Sequence, residues 1–228
     1  TIIMPSDAPK IKIENTKDLG AKVVLYQRHK EDRDAIGQQL SQAHNLTLIP
    51  PFNDTDIIAG QGTTGLEIAY QLEALNLIPD QAIGPIGGGG LMSGSAIALR
   101  HHFSDISLWG AEPQGYDDAA RSIIAGTIIG NDHSPASICD AIVTPKVGAL
   151  TFPILHKYLA GAKTVNDQHV LAAMATCMQQ LKLVVEPGGC VGLAAILNHS
   201  LAVADKTTVV ILSGGNVDPA MLDQALAE

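Results

Sequence analysis

Gln81-Ala82-Ile83-Gly84-Pro85-Ile86-Gly87-Gly88-Gly89-Gly90-Leu91-Met92-Ser93-Gly94 decides how the rest of this chain is read. The apolar run 81–86 reads as a buried strand and residues 89–103 as a helix, with four consecutive glycines at the turn between them. Glycine lets the backbone coil so that successive N–H groups point inward, and the positive end of the following helix adds to that nest. A close strand–helix turn is the plainer explanation. Four glycines in a row, however, cost much conformational entropy, so the stretch reads as an anion or phosphate cradle. No lysine follows the glycines, which excludes a P-loop. A dinucleotide fingerprint fits poorly, because Met92 stands where its third glycine belongs. Glu112 does end the next strand at about the right spacing for a ribose-binding acid, and keeps that reading open as an alternative.

Outward from this stretch, apolar runs alternate with amphipathic ones. Strands are expected at 1–5, 21–26, 47–52, 81–86, 107–112, 183–186 and 207–212. Helices are expected at 7–19 (closed by Gly20), 30–44, 59–75, 89–103, 117–125, 167–181 and 189–199, and a surface loop at 126–137. Strands separated by helices imply right-handed βαβ units: an α/β fold with a mostly parallel, twisted sheet and helices on both faces. The PPFNDTD stretch interrupts the pattern and suggests a join near 52–56, dividing the chain into 1–53 and 54–228.

Composition narrows the function. The 228 residues are 46% hydrophobic and 16% charged, ordinary for a folded domain, with a net charge of −9. So acidic a chain has no basic footprint for nucleic acid and no polybasic patch for a membrane surface. Its apolar runs fall far short of the roughly 20 residues that span a bilayer. Three cysteines without a CxxC pair (Cys139, Cys177 and Cys190) fit a reducing compartment, so a cytoplasmic protein is expected. The chain opens on Thr1 with what reads as a buried strand and nothing upstream to pair it, which suggests a fragment of a longer protein.

Three further clusters carry candidate chemistry. Ser213-Gly214-Gly215-Asn216 closes the last strand, where open α/β sheets collect ligands, so Ser213 either presents its hydroxyl to a ligand or simply ends a strand. Glu112-Pro113-Gln114-Gly115-Tyr116-Asp117-Asp118 offers hard oxygen ligands for Mg²⁺ or Ca²⁺; the competing explanation is that Asp117 or Asp118 caps a helix. Glu186, ahead of Pro187-Gly188-Gly189, is a cofactor neighbour or part of a surface turn. His101 and His102 end a helix and complement its dipole.

Taken together, AGQGTTGLEI, PIGGGGLMSG, AEPQGYDDAARS, SICDA, GALTFPI, KLVVEPGG and SGGNVD resemble the fold type II pyridoxal-phosphate enzymes. The match is to the serine/threonine dehydratase group, which includes serine racemase and 3-hydroxyaspartate dehydratases, and it runs from Thr1 to about Pro219. The resemblance implies a tryptophan synthase β-like fold and roles for single residues. Gly87, Gly88, Gly89 and Gly90 would cradle the phosphate of pyridoxal 5′-phosphate, Ser213 would hydrogen-bond the pyridine nitrogen, and Glu186 would lie beside the ring. Glu112, the carbonyl of Tyr116, and Asp118 would hold Mg²⁺ or Ca²⁺. Lys182 and Asn216 fall where the racemase has nucleotide-contacting residues, implying a nucleotide effector and a homodimer. The activity implied is dehydration and deamination of a small β-hydroxy amino acid, with racemisation as the alternative. Family members carry the cofactor-binding lysine in a Ser-Phe-Lys-like motif and grip the substrate carboxylate with a Ser-Gly-Asn-His loop. Neither motif occurs in this sequence, so the catalytic lysine is unassigned and the chain by itself is expected to be inactive.

Overall fold

The computed structural model describes residues 1–28, 30–131 and 136–227. Near the N-terminus, β1 (Ile2–Pro5) and β2 (Val23–Tyr26) pair in parallel, joined by α1 (Lys10–Asp18). Gly20 ends that crossover at φ +86, as its position after the helix predicts. α2 (Arg33–His44) follows, capped by the Asp32 carboxylate, which accepts from the N–H groups of Asp34 and Ala35.

The second sheet has the order β5-β4-β3-β6, built from β3 (Gln81–Pro85), β4 (Ser107–Pro113), β5 (Leu159–Val165) and β6 (Thr208–Val210). All its pairings are parallel. The described helices that accompany it are α3 (Thr55–Ala74), α4 (Gly90–His102), α5 (Asp118–Ala125), α6 (Thr151–Tyr158), α7 (Asp167–Thr176), α8 (Pro187–Leu197) and α9 (Pro219–Leu226). Neighbouring side chains along a strand point to opposite faces. Ala82 and Leu108 therefore join Met92, Leu99 and Leu155 in one core, while Ile83 and Ala111 join Val170, Met174, Val191 and Ala194 in the other. Helices cover both faces, as the alternation of elements predicts.

Several expectations need correction. Residues 47–52 form no strand: Pro50 and Pro51 cannot donate to a ladder, and Leu48 and Ile49 are exposed. The segment crosses to the glycine loop instead, laying Phe52 against it. Residues 183–186 are not a strand either; the Glu186 N–H donates to the Gly214 carbonyl at 2.8 Å, beyond the end of β6. α3 starts at Thr55, capped by Asp54, so the glycines of AGQGTTG lie inside the helix rather than at its entrance. They are there for contact with α4: a Cβ on Gly65 would stand 2.6 Å from the Ser95 carbonyl oxygen and 2.8 Å from the Ala98 Cβ, and one on Gly94 would strike the Ile58 carbonyl. α6, β5, α9 and a single 3₁₀ turn at Asp140–Ile142 add to the expected elements. Of the expected loop at 126–137, residues 132–135 lie outside the described residues. No described helix is long and apolar enough to cross a membrane.

Candidate cofactor site

The glycine loop leaves the carboxyl end of β3 and enters α4, with Gly88, Gly89 and Gly90 buried. Gly89 occupies the N-cap at φ +93, a conformation that side chains with a Cβ rarely adopt. The Gly88 carbonyl is tied down by the Thr151 hydroxyl (2.7 Å) and the Gly148 N–H (3.1 Å). Space around the loop is tight. A Cβ on Gly88 would overlap the Phe52 ring, one on Gly87 would lie 3.0 Å from Ile142 Cα, and one on Gly89 would lie 2.8 Å from Thr151 Oγ1. The backbone N–H groups from Gly87 to Met92 have no acceptor among the described residues. Donors without acceptors are costly where they are buried, as at Gly88, Gly89, Gly90 and Met92, and here the row lies at the positive end of a 13-residue helix. Free N–H groups at a helix start are the kind of donors that an anion can satisfy.

Glu186 precedes α8, close under the 213–216 loop. Its side chain passes so near Gly214 that a Cβ there would strike Oε1, and a Cβ on Gly189 would lie 3.1 Å from the Gly214 nitrogen. The sequence did not reveal its partner. Lys12 of α1 places Nζ 2.6 Å from Glu186 Oε2 and 3.0 Å from Asp140 Oδ1. Burial pulls the Lys12 pKa down, but the close contact with Glu186 and the charges of Asp140 and Glu186 outweigh it, and the ammonium is held above its ordinary range. Glu186 Oε2 is buried and lacks a well-aligned hydrogen-bond donor, so the contact with Lys12 is chiefly electrostatic. Ser213, Gly215 and Asn216 are exposed, and the Ser213 hydroxyl bonds no described residue. Ile142 links the two halves of the site, since a Cβ on Gly87 or on Gly188 would meet it. Lys182 is a surface residue at φ +60, its Nζ donating to the Gln179 carbonyl at 2.7 Å.

The acidic cluster is arranged differently from either simple expectation. Asp117 stands at the N-cap of α5 but makes no side-chain capping bond. The cap comes from Glu112, on the end of β4: Oε1 accepts from the Ala119 N–H (3.0 Å) and Oε2 from the Ala120 N–H (2.8 Å). Asp118 accepts from Asn131 Nδ2 (2.6 Å) and from the Val147 N–H (2.7 Å). Both carboxylates are buried. Burial, reinforced by the charge of Asp118, drives the Glu112 pKa well above the carboxylate range, and burial raises that of Asp118 to about 6. So enclosed a Glu112 cannot meet a ribose, which removes the dinucleotide reading. Among the described residues no group of three or more His, Cys, Asp or Glu side chains could hold a metal. The expected set has only two carboxylates, with the Tyr116 carbonyl as the third donor.

The profile of the family described as "Pyridoxal-phosphate dependent enzyme" matches residues 1–214. The chain belongs to that family. It is 41% identical over 218 residues to an L-threo-3-hydroxyaspartate ammonia-lyase of Pseudomonas sp, covering 96% of this chain and 67% of the relative. It is 36% identical over 217 residues to a serine racemase of Schizosaccharomyces pombe, covering 95% and 66%. A solved structure, a T.th. threonine deaminase, superposes with a TM-score of 0.88 at 37% identity over 95% of this chain and 69% of that one. The chain thus spans about two thirds of the length of these relatives, and its fold is that of the fold type II pyridoxal-phosphate enzymes. Waiting N–H groups in the glycine loop and a buried carboxylate beside an exposed serine fit that cofactor.

Proposed function

We propose that this chain is the cofactor-holding part of an ammonia-lyase that dehydrates and deaminates a small β-hydroxy amino acid (serine, threonine or 3-hydroxyaspartate) to a 2-oxo acid and ammonia. The observation that carries it is the row of unsatisfied backbone donors from Gly87 to Met92, which suits the phosphate of the family's cofactor. The names of two ammonia-lyase relatives, 41% and 39% identical, support the reaction class. Bound pyridoxal phosphate supplies an electron sink that makes a Cα proton removable. The chain's residues do the rest. Gly87 to Gly90 bind and orient the phosphate. Ser213 offers a hydroxyl rather than a carboxylate to the ring nitrogen and so leaves it less protonated, as suits elimination. Glu186 lies beside the ring.

The racemase relatives, 36% identical, support isomerisation of serine as a second reading. Within the same proposal, Glu112, the Tyr116 carbonyl and Asp118 hold Mg²⁺ or Ca²⁺: each carboxylate oxygen keeps a second lone pair, and a cation would relieve the repulsion between two buried acids. Residues 1–53 are read as part of a small domain and 54–228 as the large one. A cytoplasmic homodimer is the expected state, with a nucleotide effector contacted by Lys182 and Asn216.

The test uses the full-length product of the gene encoding this chain. Loaded with pyridoxal phosphate, it is given L-serine, L-threonine and L-threo-3-hydroxyaspartate, and 2-oxo acid is measured together with D-serine. Release of 2-oxo acid is expected. D-Serine without 2-oxo acid selects the racemase, and failure to bind the cofactor overturns both readings.

A further inference from the structure

Glu186, Lys12 and Asp140 form a charge cluster, and the turn that holds Asp140 also carries Ile142, which lies against Gly87. Lys12 is on α1, near the N-terminus; Asp140 belongs to the 3₁₀ turn, and Glu186 stands at the entrance of α8. Asp140 is 128 residues from Lys12 in sequence and Glu186 is further still, yet both meet one ammonium, whose side chain keeps only 16% of its exposure. Its neighbour Ile11 donates its N–H to Asp218 Oδ1 at 3.2 Å, so α1 is also seated on the end of the 213–218 segment. Two carboxylates against one ammonium leave a formal charge of −1 in this corner. The rest of the molecule leaves Glu186 Oε2 without a well-aligned donor.

We infer that Lys12 is a positioning residue that acts through Glu186: it fixes the direction and the charge balance of that carboxylate and, being on α1, makes the seating of α1 a condition for a correctly set site. The inference rests on the cofactor reading above. Lys12 is no candidate for bonding to the cofactor itself. An ammonium locked between two carboxylates has no lone pair to attack with, and that same lock is what lets it steer Glu186. Asp140 serves as the outer anchor. It holds Nζ from the far side, so the ammonium neither swings into solvent nor leaves Glu186 uncompensated in a partly buried position. Gly214 belongs to the same device, because only a glycine there lets Oε1 pass beneath the 213–216 loop.

The experiment is a set of variants of the cofactor-loaded full-length protein: Lys12→Met, Lys12→Arg, Glu186→Gln and the double variant Lys12→Met/Glu186→Gln. The readouts are the position of the bound cofactor's visible absorption band, its dissociation constant and the melting temperature. Lys12→Met should displace the band and weaken cofactor binding by about tenfold. Lys12→Arg should restore most of both, and the double variant should lose no more than Glu186→Gln does alone. The inference is overturned if Lys12→Met lowers only the melting temperature, leaving the band and affinity unchanged, or if the two single effects add in the double variant. Should Lys12→Met not fold, the unsubstituted protein decides: the ¹⁵N resonance of Lys12 Nζ should move when cofactor is added, and an unmoved signal overturns the inference. If the unsubstituted protein takes up no cofactor at all, it is the cofactor reading that has failed.

Discussion

The glycine loop and the acidic cluster are mirror images in their polarity. At 87–92 there are largely buried donors with no acceptor among the described residues; at 112–118 there are buried acceptors, each already holding an N–H. Both lie at the carboxyl ends of neighbouring strands, β3 and β4, each followed by a helix. In the first turn, an absence of side chains leaves a helix N-terminus open. In the second, a side chain from the preceding strand plugs one. Glu112 commits its two oxygens to α5, whereas the first N–H groups of α4 stay free. Neighbouring βα units of one sheet thus present opposite polarity at their helix starts: free N–H donors in one, buried carboxylates in the other.

The contrast breaks most severely at the glycines. Gly88→Val would drive a branched side chain into the Phe52 ring, and Gly89→Val would also have to hold φ +93. Each should cost about 3 kcal/mol or more of stability and abolish cofactor binding. Urea denaturation and titration with pyridoxal phosphate check this. A folded Gly89→Val chain that bound the cofactor as the parent does would move the cradle elsewhere.

A smaller effect is expected at the acids. The Asp118 pKa rises on folding from an ordinary 3.8 to about 6, so protonation favours the folded state. Its contribution is complete below 3.8 and lost as pH rises through about 6, about 2 kcal/mol in all after allowance for solvent. Metal-free protein followed by thermal melting should therefore gain stability from this group between pH 7 and pH 4, and Asp118→Asn should flatten that slope. Millimolar Mg²⁺ or Ca²⁺ at pH 7 should raise the melting temperature by about 2–4 °C. Glu112→Ala or Asp118→Ala should erase that rise; a rise surviving in the double variant would exclude these ligands.

The last expectation is a null effect. None of the chain's lysines lies in a Ser-Phe-Lys-like motif, and Lys12, the one beside Glu186, is held as an ammonium between two carboxylates. Treating the purified 228-residue chain with pyridoxal phosphate and borohydride should give no stoichiometric adduct at any one lysine by peptide mass mapping, only scattered low-level labelling of exposed ones. A stoichiometric adduct at one position would refute this.

The sheet was readable wherever strand and helix differ in local pattern. Residues 81–86 and 107–112 are short apolar runs with turn residues at both ends, and the glycine loop marks the strand–helix turn by composition alone. β5 was not readable: Leu159–Val165 is an edge strand interrupted by Gly161 and Lys163, with only its two ends buried. Lys12 and Asp140 carried no local signal, since the information in them is a distance across the fold. At 112–118 the residue types pointed to oxygen chemistry. The sequence could not show which carboxylate caps α5, because Glu112 reaches that helix from the strand before it.

The interlocked glycines of α3 and α4 have one more consequence. With Gly65 against Ser95 and Gly94 against Ile58, neither helix can slide or roll without backbone colliding with backbone. The pair therefore behaves as a single stiff beam, and the glycine loop is fixed to its end. The chain enters this beam through residues 51–54, where Asn53 sits at φ +54 and its side-chain oxygen accepts the Leu150 N–H at 2.7 Å. Phe52 lies in the middle of that entrance with its ring on Gly88. The entrance to the beam and the wall of the glycine loop are thus the same few residues.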